Sequence, residues 1–185
     1  MNIKTLAITA IAGAALLAGC ETTSTRPYQT STDNVMAYQN AFKGSDAKVK
    51  LGTFTTTEGV DTSPTCRMMG ALEVSPGKTP VDFIASAFKD ELFEAGVYDG
   101  ASDNVINGNI NELKFNSFGT GKWTINMNVS SAAMPGGYDV STEYTFKTSY
   151  SAIRACQNVV DAFTPAVQEL LGKVVASPDF AKLTK

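Results

Sequence analysis

Three cysteines and no histidine set the chemistry open to this chain of 185 residues. Without an imidazole, a Ser-His-Asp triad, a Cys-His nucleophile pair and a His-containing zinc site are all impossible. Carboxylates remain. Asp90, Glu91 and Glu94 fall close together on one predicted helix, where acidic residues at this spacing form a solvated face. Asp99 and Asp103 flank Gly100 in a loop that could take calcium, but the regular acidic spacing of an EF-hand is missing. Gly119-Thr120-Gly121-Lys122 has the glycines and lysine of a phosphate loop. Trp123 stands where Ser or Thr is required, however, and the run lies between two strands, so it reads as a turn. Trp123, Tyr138, Tyr144 and Phe146 could line a pocket between sheet and helices, although aromatics at strand spacing form core. The sequence predicts no catalytic residue, no cofactor and no metal site.

The cysteines carry more information. Asn2 and Lys4 precede an apolar run from Leu6 to Leu17 that ends in Leu17-Ala18-Gly19-Cys20. A positive start, a short apolar core and small residues at a cut make a secretory signal, and a membrane-crossing helix would need about 20 apolar residues. Leucine, two small residues and a cysteine match the bacterial lipobox. The match implies diacylglyceryl transfer to the Cys20 thiol, cleavage before it and acylation of the new amino group. Several acyl chains, at about 0.8 kcal/mol per buried methylene, hold such an anchor in the bilayer. Glu21 follows the cysteine, where proteins retained in the inner membrane usually carry aspartate. The expectation is the periplasmic leaflet of the outer membrane of a Gram-negative cell.

Removing residues 1–19 takes away Lys4 and leaves 14 of the 15 basic residues against 18 acidic ones. That balance, with no basic tract, argues against nucleic acid and anionic headgroups as electrostatic partners. With Cys20 carrying lipid, Cys66 and Cys156 remain in an oxidising compartment, where a disulfide between them is the natural pairing. It would close a loop of about 90 residues and stabilise the domain by up to roughly 4.6 kcal/mol. The alternatives are two buried free thiols or a redox pair, the latter without the usual Cys-x-x-Cys spacing.

These residues need a scaffold. Residues 20–46 are rich in Ser, Thr, Gln and Asn and read as a lipidated flexible tether that would hold the body on average about 28 Å from the lipid. Val35-Met36-Ala37-Tyr38 and Ala41-Phe42 within it could form a short docking helix. Residues 47–185 make a single domain. A first strand is predicted over residues 48–54 and an extended piece over 66–74. Thr79, Pro80 and Asp82 then open a helix whose stripe of Phe83, Ile84, Ala87, Phe88, Glu91, Leu92 and Ala95 ends at Gly96. Ile106, Gly108 and Ile110 share one parity and Leu113 and Phe115 the other, which predicts a bulge near Asn111 and Glu112. Trp123, Ile125, Met127 and Val129, and then Tyr138, Val140, Thr142, Tyr144 and Phe146, alternate with polar partners in two further strands. A last helix runs from about Ile153 or Gln157 to Ala176, with Pro165 either kinking it or following a new cap at Thr164. The predicted fold is α+β: an antiparallel sheet of about four strands with two helices on one face.

Phe83-Ile84-Ala85-Ser86-Ala87-Phe88-Lys89-Asp90-Glu91-Leu92 before Gly96, Ile106-Asn107-Gly108-Asn109-Ile110, and Asn158-Val159-Val160-Asp161-Ala162-Phe163 followed by Ser177-Pro178-Asp179-Phe180 carry a family likeness. Behind a lipobox, this order resembles the small outer-membrane lipoproteins of Gram-negative bacteria of the YajG type. The layout is also similar to LptE-type lipoproteins and, more distantly, to activators of peptidoglycan synthases. The resemblance implies no catalytic residues. The expected role is a non-enzymatic, lipid-anchored module that contacts an envelope protein through its polar sheet face or strand edges, the alternative being a small-molecule or lipid carrier.

Overall fold

The structure, a computed structural model, describes residues 27–184. Along the chain run α1 (Thr32–Ala41), β1 (Lys50–Thr56), α2 (Pro80–Glu94), β2 (Val105–Asn116), β3 (Thr120–Ser131), β4 (Tyr138–Lys147), α3 (Ala152–Asp161), α4 (Phe163–Ala176) and a 3-10 turn (Phe180–Leu183). The fold is α+β, with four strands in the order β1-β2-β3-β4. β2, β3 and β4 form an antiparallel meander, but β1 lies parallel to β2, so the sheet is mixed rather than wholly antiparallel. The reason is the crossover. α2 returns the chain along the sheet before β2 begins, so β2 must start at the end where β1 started.

Local chemistry explains α2. The Thr79 side chain accepts from the Asp82 N–H while the Asp82 carboxylate accepts from the Thr79 N–H, and Pro80 sits at the start of the helix, where its missing N–H costs nothing. Gly96, at φ 72°, takes the left-handed turn past the end. The bulge expected near Asn111 is present, since the β2–β3 register slips between Ile110 and Glu112. It brings Ile106, Ile110 and Leu113 into one buried face, with Phe115 packed beside them.

That face is closed by Trp123, Ile125, Met127 and Val129 of β3, all fully buried. α2 lies over β1, and α4 lies over β4 and β3. The long last helix of the sequence reading is broken at Ala162 rather than at Pro165, and Thr164 makes no cap. Pro165 falls in the first turn of α4, where a missing N–H leaves no helical bond unmade. Residues 66–74 form no strand and are held by the isolated bridge Thr65↔Ala71. Among the described residues no helix covers the other sheet face, which presents Thr55, Asn109, Asn111 and Asn128 in a polar lattice.

The greatest departure from the sequence reading is the tether. Residues 27–46 are not a free spacer: the short docking helix expected around Val35-Met36-Ala37-Tyr38 and Ala41 forms as α1 and packs across α2 and α4 as an outer layer. Tyr38 is fully buried against Phe88 and Phe180, and its hydroxyl donates to the Leu171 carbonyl at 3.1 Å. Composition misled here because one large aromatic and a few specific hydrogen bonds stand in for a continuous apolar stripe. Residues 20–26 of the expected tether, and the signal over residues 1–19, lie outside the described residues.

Candidate interaction surface

Cys66 and Cys156 are joined in a disulfide, with their Cα atoms 5.8 Å apart. It fastens the loop before α2 to the first turns of α3. Cys20 lies outside the described residues.

Beside the disulfide, Arg67 ties three loops together. Its guanidinium donates to the Ser117 carbonyl and, at 3.1 Å, to Ser117 Oγ in the β2–β3 turn. It also donates to the Ser149 carbonyl at 3.0 Å in the loop between β4 and α3. Its carbon stands 4.2 Å from the centre of the Phe118 ring, a stacking only a planar cation can combine with this fork of donors. The Ser117 carbonyl accepts again from Thr148 Oγ1 at 2.5 Å. Arg67 and Met68 hold left-handed backbone angles, φ 44° and 58°, at a cost of about 1–2 kcal/mol per residue. The contacts around Arg67 hold that conformation and turn Met68 outward.

The result is a cluster of bare apolar groups on a rigid frame. Of the seven large apolar side chains exposed among the described residues, Met68, Met69, Phe118 and Tyr150 belong to these loops and Ile153 to the first turn of α3 beside them, with Met68 97% exposed. A shallow groove of about 320 Å³ runs between Arg67, Phe118, Thr148 and Tyr150. None of this was foreseen. The only signal was Arg67-Met68-Met69, a cation followed by two apolar residues beside a cysteine in a segment with no periodicity.

The acidic groups singled out in the sequence part company. Asp90 and Glu94 border an open groove with Tyr28 and Thr30, whereas Glu91 is fully buried, contrary to the solvated face expected for the three. Glu91 belongs to the inward stripe of α2, and its partners come from the supposed tether. Tyr28 O–H donates to Oε1 at 2.5 Å, Asn34 Nδ2 at 3.0 Å and the Ser31 N–H at 3.3 Å. Burial pushes the Glu91 carboxyl above its usual range although these three bonds pull the other way, and Glu94 adds a smaller upward push. The Tyr28 hydroxyl is raised in turn, first by burial and then by the Glu91 charge. This is a lock for the N-terminal strip.

Asp99 accepts from the Ala101 N–H at 2.9 Å in a local turn, and no group of three metal-ligating side chains occurs among the described residues. Gly119 to Lys122 is the β2–β3 turn and the start of β3. Trp123 is packed between Phe115 and Phe163 and donates its indole N–H to the Val159 carbonyl at 2.8 Å. Tyr138 is buried with its hydroxyl on the Val174 carbonyl, and Tyr144 and Phe146 are packed against the core. Trp123 and Tyr138 are core, and Tyr144 and Phe146 are half-buried against it, so the four rings do not line one pocket as the carrier reading expected. No helix among the described residues is long and apolar enough to cross a membrane.

No protein-family model matches the chain, and no curated protein matches it. Among solved structures, the chain is similar to a protein from Xanthomonas campestris assigned to family DUF330, at 11% identity and a TM-score of 0.49 over 70% of this chain and 84% of that one.

Proposed function

We propose that this chain is a lipid-anchored, periplasm-facing lipoprotein of the outer membrane, without catalysis, whose body serves as an interaction or assembly accessory module. The lipobox ending at Cys20 supports the anchor. The observation that carries the interaction role is the one-sided covering of the sheet. With every helix among the described residues on one side of the sheet, the other face offers Thr55, Thr57, Asn109, Asn111 and Asp139 as a half-solvated lattice of donors and acceptors. Such a face can be read by a protein partner at little desolvation cost, since its groups already bond one another.

Two measurements test this reading. Cys20→Ser should abolish lipidation, seen as loss of acyl mass, and release the chain from the outer-membrane fraction. Retention there with unchanged mass defeats the anchor. Crosslinking in intact cells should recover a specific envelope protein, and Thr55→Arg with Asn109→Arg should reduce that product while leaving the melting temperature near wild type. A crosslink indifferent to both substitutions defeats the assignment to this face.

A further inference from the structure

The chain emerges from the fold at a defined place. Pro27 lines a cleft with Val74, Val160, Thr164 and Pro165, at the junction of α3 and α4. Phe163, beside that junction, packs 4.7 Å from Trp123 near the start of β3, and Cys156 precedes Val160 by one helical turn. Pro27 therefore leaves at the end of the molecule that carries the disulfide, the β2–β3 turn and the loop after β4. This is also the end where Met68, Met69, Phe118, Tyr150 and Ile153 stand exposed.

Only seven residue steps separate Pro27 from Cys20. At full extension they span at most about 25 Å, less than the width of this domain. An anchor at Cys20 thus keeps this end of the body next to the bilayer. The three exposed segments there, residues 66–70, 117–121 and 148–154, contain no carboxylate, and their only charged side chains are Arg67 and Arg154. Methionine, phenylalanine, tyrosine and isoleucine at a tip, backed by arginine and by Ser and Thr, is the composition that settles at the boundary of headgroups and acyl chains.

We infer that the Arg67-braced tip seats on the bilayer that holds the lipid anchor, with Phe118 and Tyr150 entering the headgroup region. The inference rests on the anchor proposed above. It adds a second contact to the same membrane and a fixed orientation: the sheet stands off the surface, and its polar face looks sideways toward a partner rather than down into lipid.

The test uses the full lipidated chain in vesicles of phosphatidylethanolamine and phosphatidylglycerol whose acyl chains carry bromine, a short-range quencher of indole. Phe118→Trp and Tyr150→Trp report on the tip. Ala133→Trp, exposed in the β3–β4 turn at the other end of the sheet from the β2–β3 turn, reports on the opposite end, and buried Trp123 in the unchanged chain is the internal reference. The emission added at positions 118 and 150 is expected to fall at least about twofold on bromination, with that at position 133 unchanged. Flotation with the vesicles but equal quenching at all three positions overturns the tip contact and leaves the anchor standing. Failure to float overturns both. A third outcome also defeats the inference: no quenching at the tip, combined with loss of a specific protein crosslink in Phe118→Ser or Tyr150→Ser, assigns the tip to a protein.

Discussion

Tyr28 O–H donates to Glu91 Oε1 across 2.5 Å, joining the residue next to the chain's exit point to the last turn of α2. Asn34 completes the link by bonding both that carboxyl and the Gln168 carbonyl of α4, at 2.8 Å. One buried acid thus fastens an outer strip to two inner helices, with no cation among the groups hydrogen-bonded to it.

The acid makes stability depend on pH in a direction opposite to most paired carboxylates. Its folded pKa is raised, so the folded chain holds the proton more tightly than the unfolded one. The stabilising contribution is complete below the ordinary value of 4.5 and is lost as pH rises through the raised folded value. Glu91→Gln keeps an acceptor for Tyr28 and removes the charge. Its melting temperature should equal or exceed wild type at pH 7, and the wild-type decline above pH 4.5 should flatten. Glu91→Ala leaves Tyr28 and Asn34 short of an acceptor and should cost about 2–3 kcal/mol in urea unfolding.

Reduction of Cys66–Cys156, or Cys66→Ala with Cys156→Ala, releases a crosslink spanning 90 positions. Thermal unfolding should show a loss of up to about 4.6 kcal/mol relative to the oxidised chain. Hydrogen exchange should rise first in residues 66–70 and at the start of α3.

Arg67→Lys retains the charge but not the planar fork that reaches Ser117 and Ser149 together. Faster hydrogen exchange is expected in residues 117–119 and 148–150, at a stability cost of about 1–3 kcal/mol. A lysine variant with unaltered exchange in both loops would show that the brace is dispensable.

Gly108 faces Phe54 across the parallel β1–β2 pair, and a Cβ built there would lie 2.5 Å from the Phe54 ring. Gly108→Val should displace that ring from Phe88 and destabilise the chain by about 1–3 kcal/mol. Protection of the β1 amides should fall while the β3–β4 amides stay as they were.

What the sequence disclosed follows from the range of the forces involved. Thr79, Pro80 and Asp82 interact within one turn, and Trp123 to Val129 alternate along one strand, so α2 and the meander were readable. The bulge at Asn111 was too, because a change of parity between Ile110 and Leu113 leaves a trace along a single strand. Parallel pairing of β1 left none, since it depends on where α2 returns the chain. The Arg67 brace joins positions 50 and 82 residues apart, and apart from Ser117 Oγ its acceptors are backbone carbonyls, which carry no residue identity. Glu91 lay in the apolar stripe of α2, but its burial depends on Tyr28 and Asn34, about 60 positions upstream in a stretch whose composition reads as unstructured.

The strip formed by α1 and the residues before it is also stored length. Peeling it from α2 and α4 would leave the disulfide and the four strands in place. Yet it would put 29 residue steps between Cys20 and Val49 in place of the seven that now reach Pro27, extending the maximal span from about 25 Å to about 100 Å. The altitude open to the body above its proposed anchor is thus bounded by whether that hydrogen-bonded outer layer stays wound in.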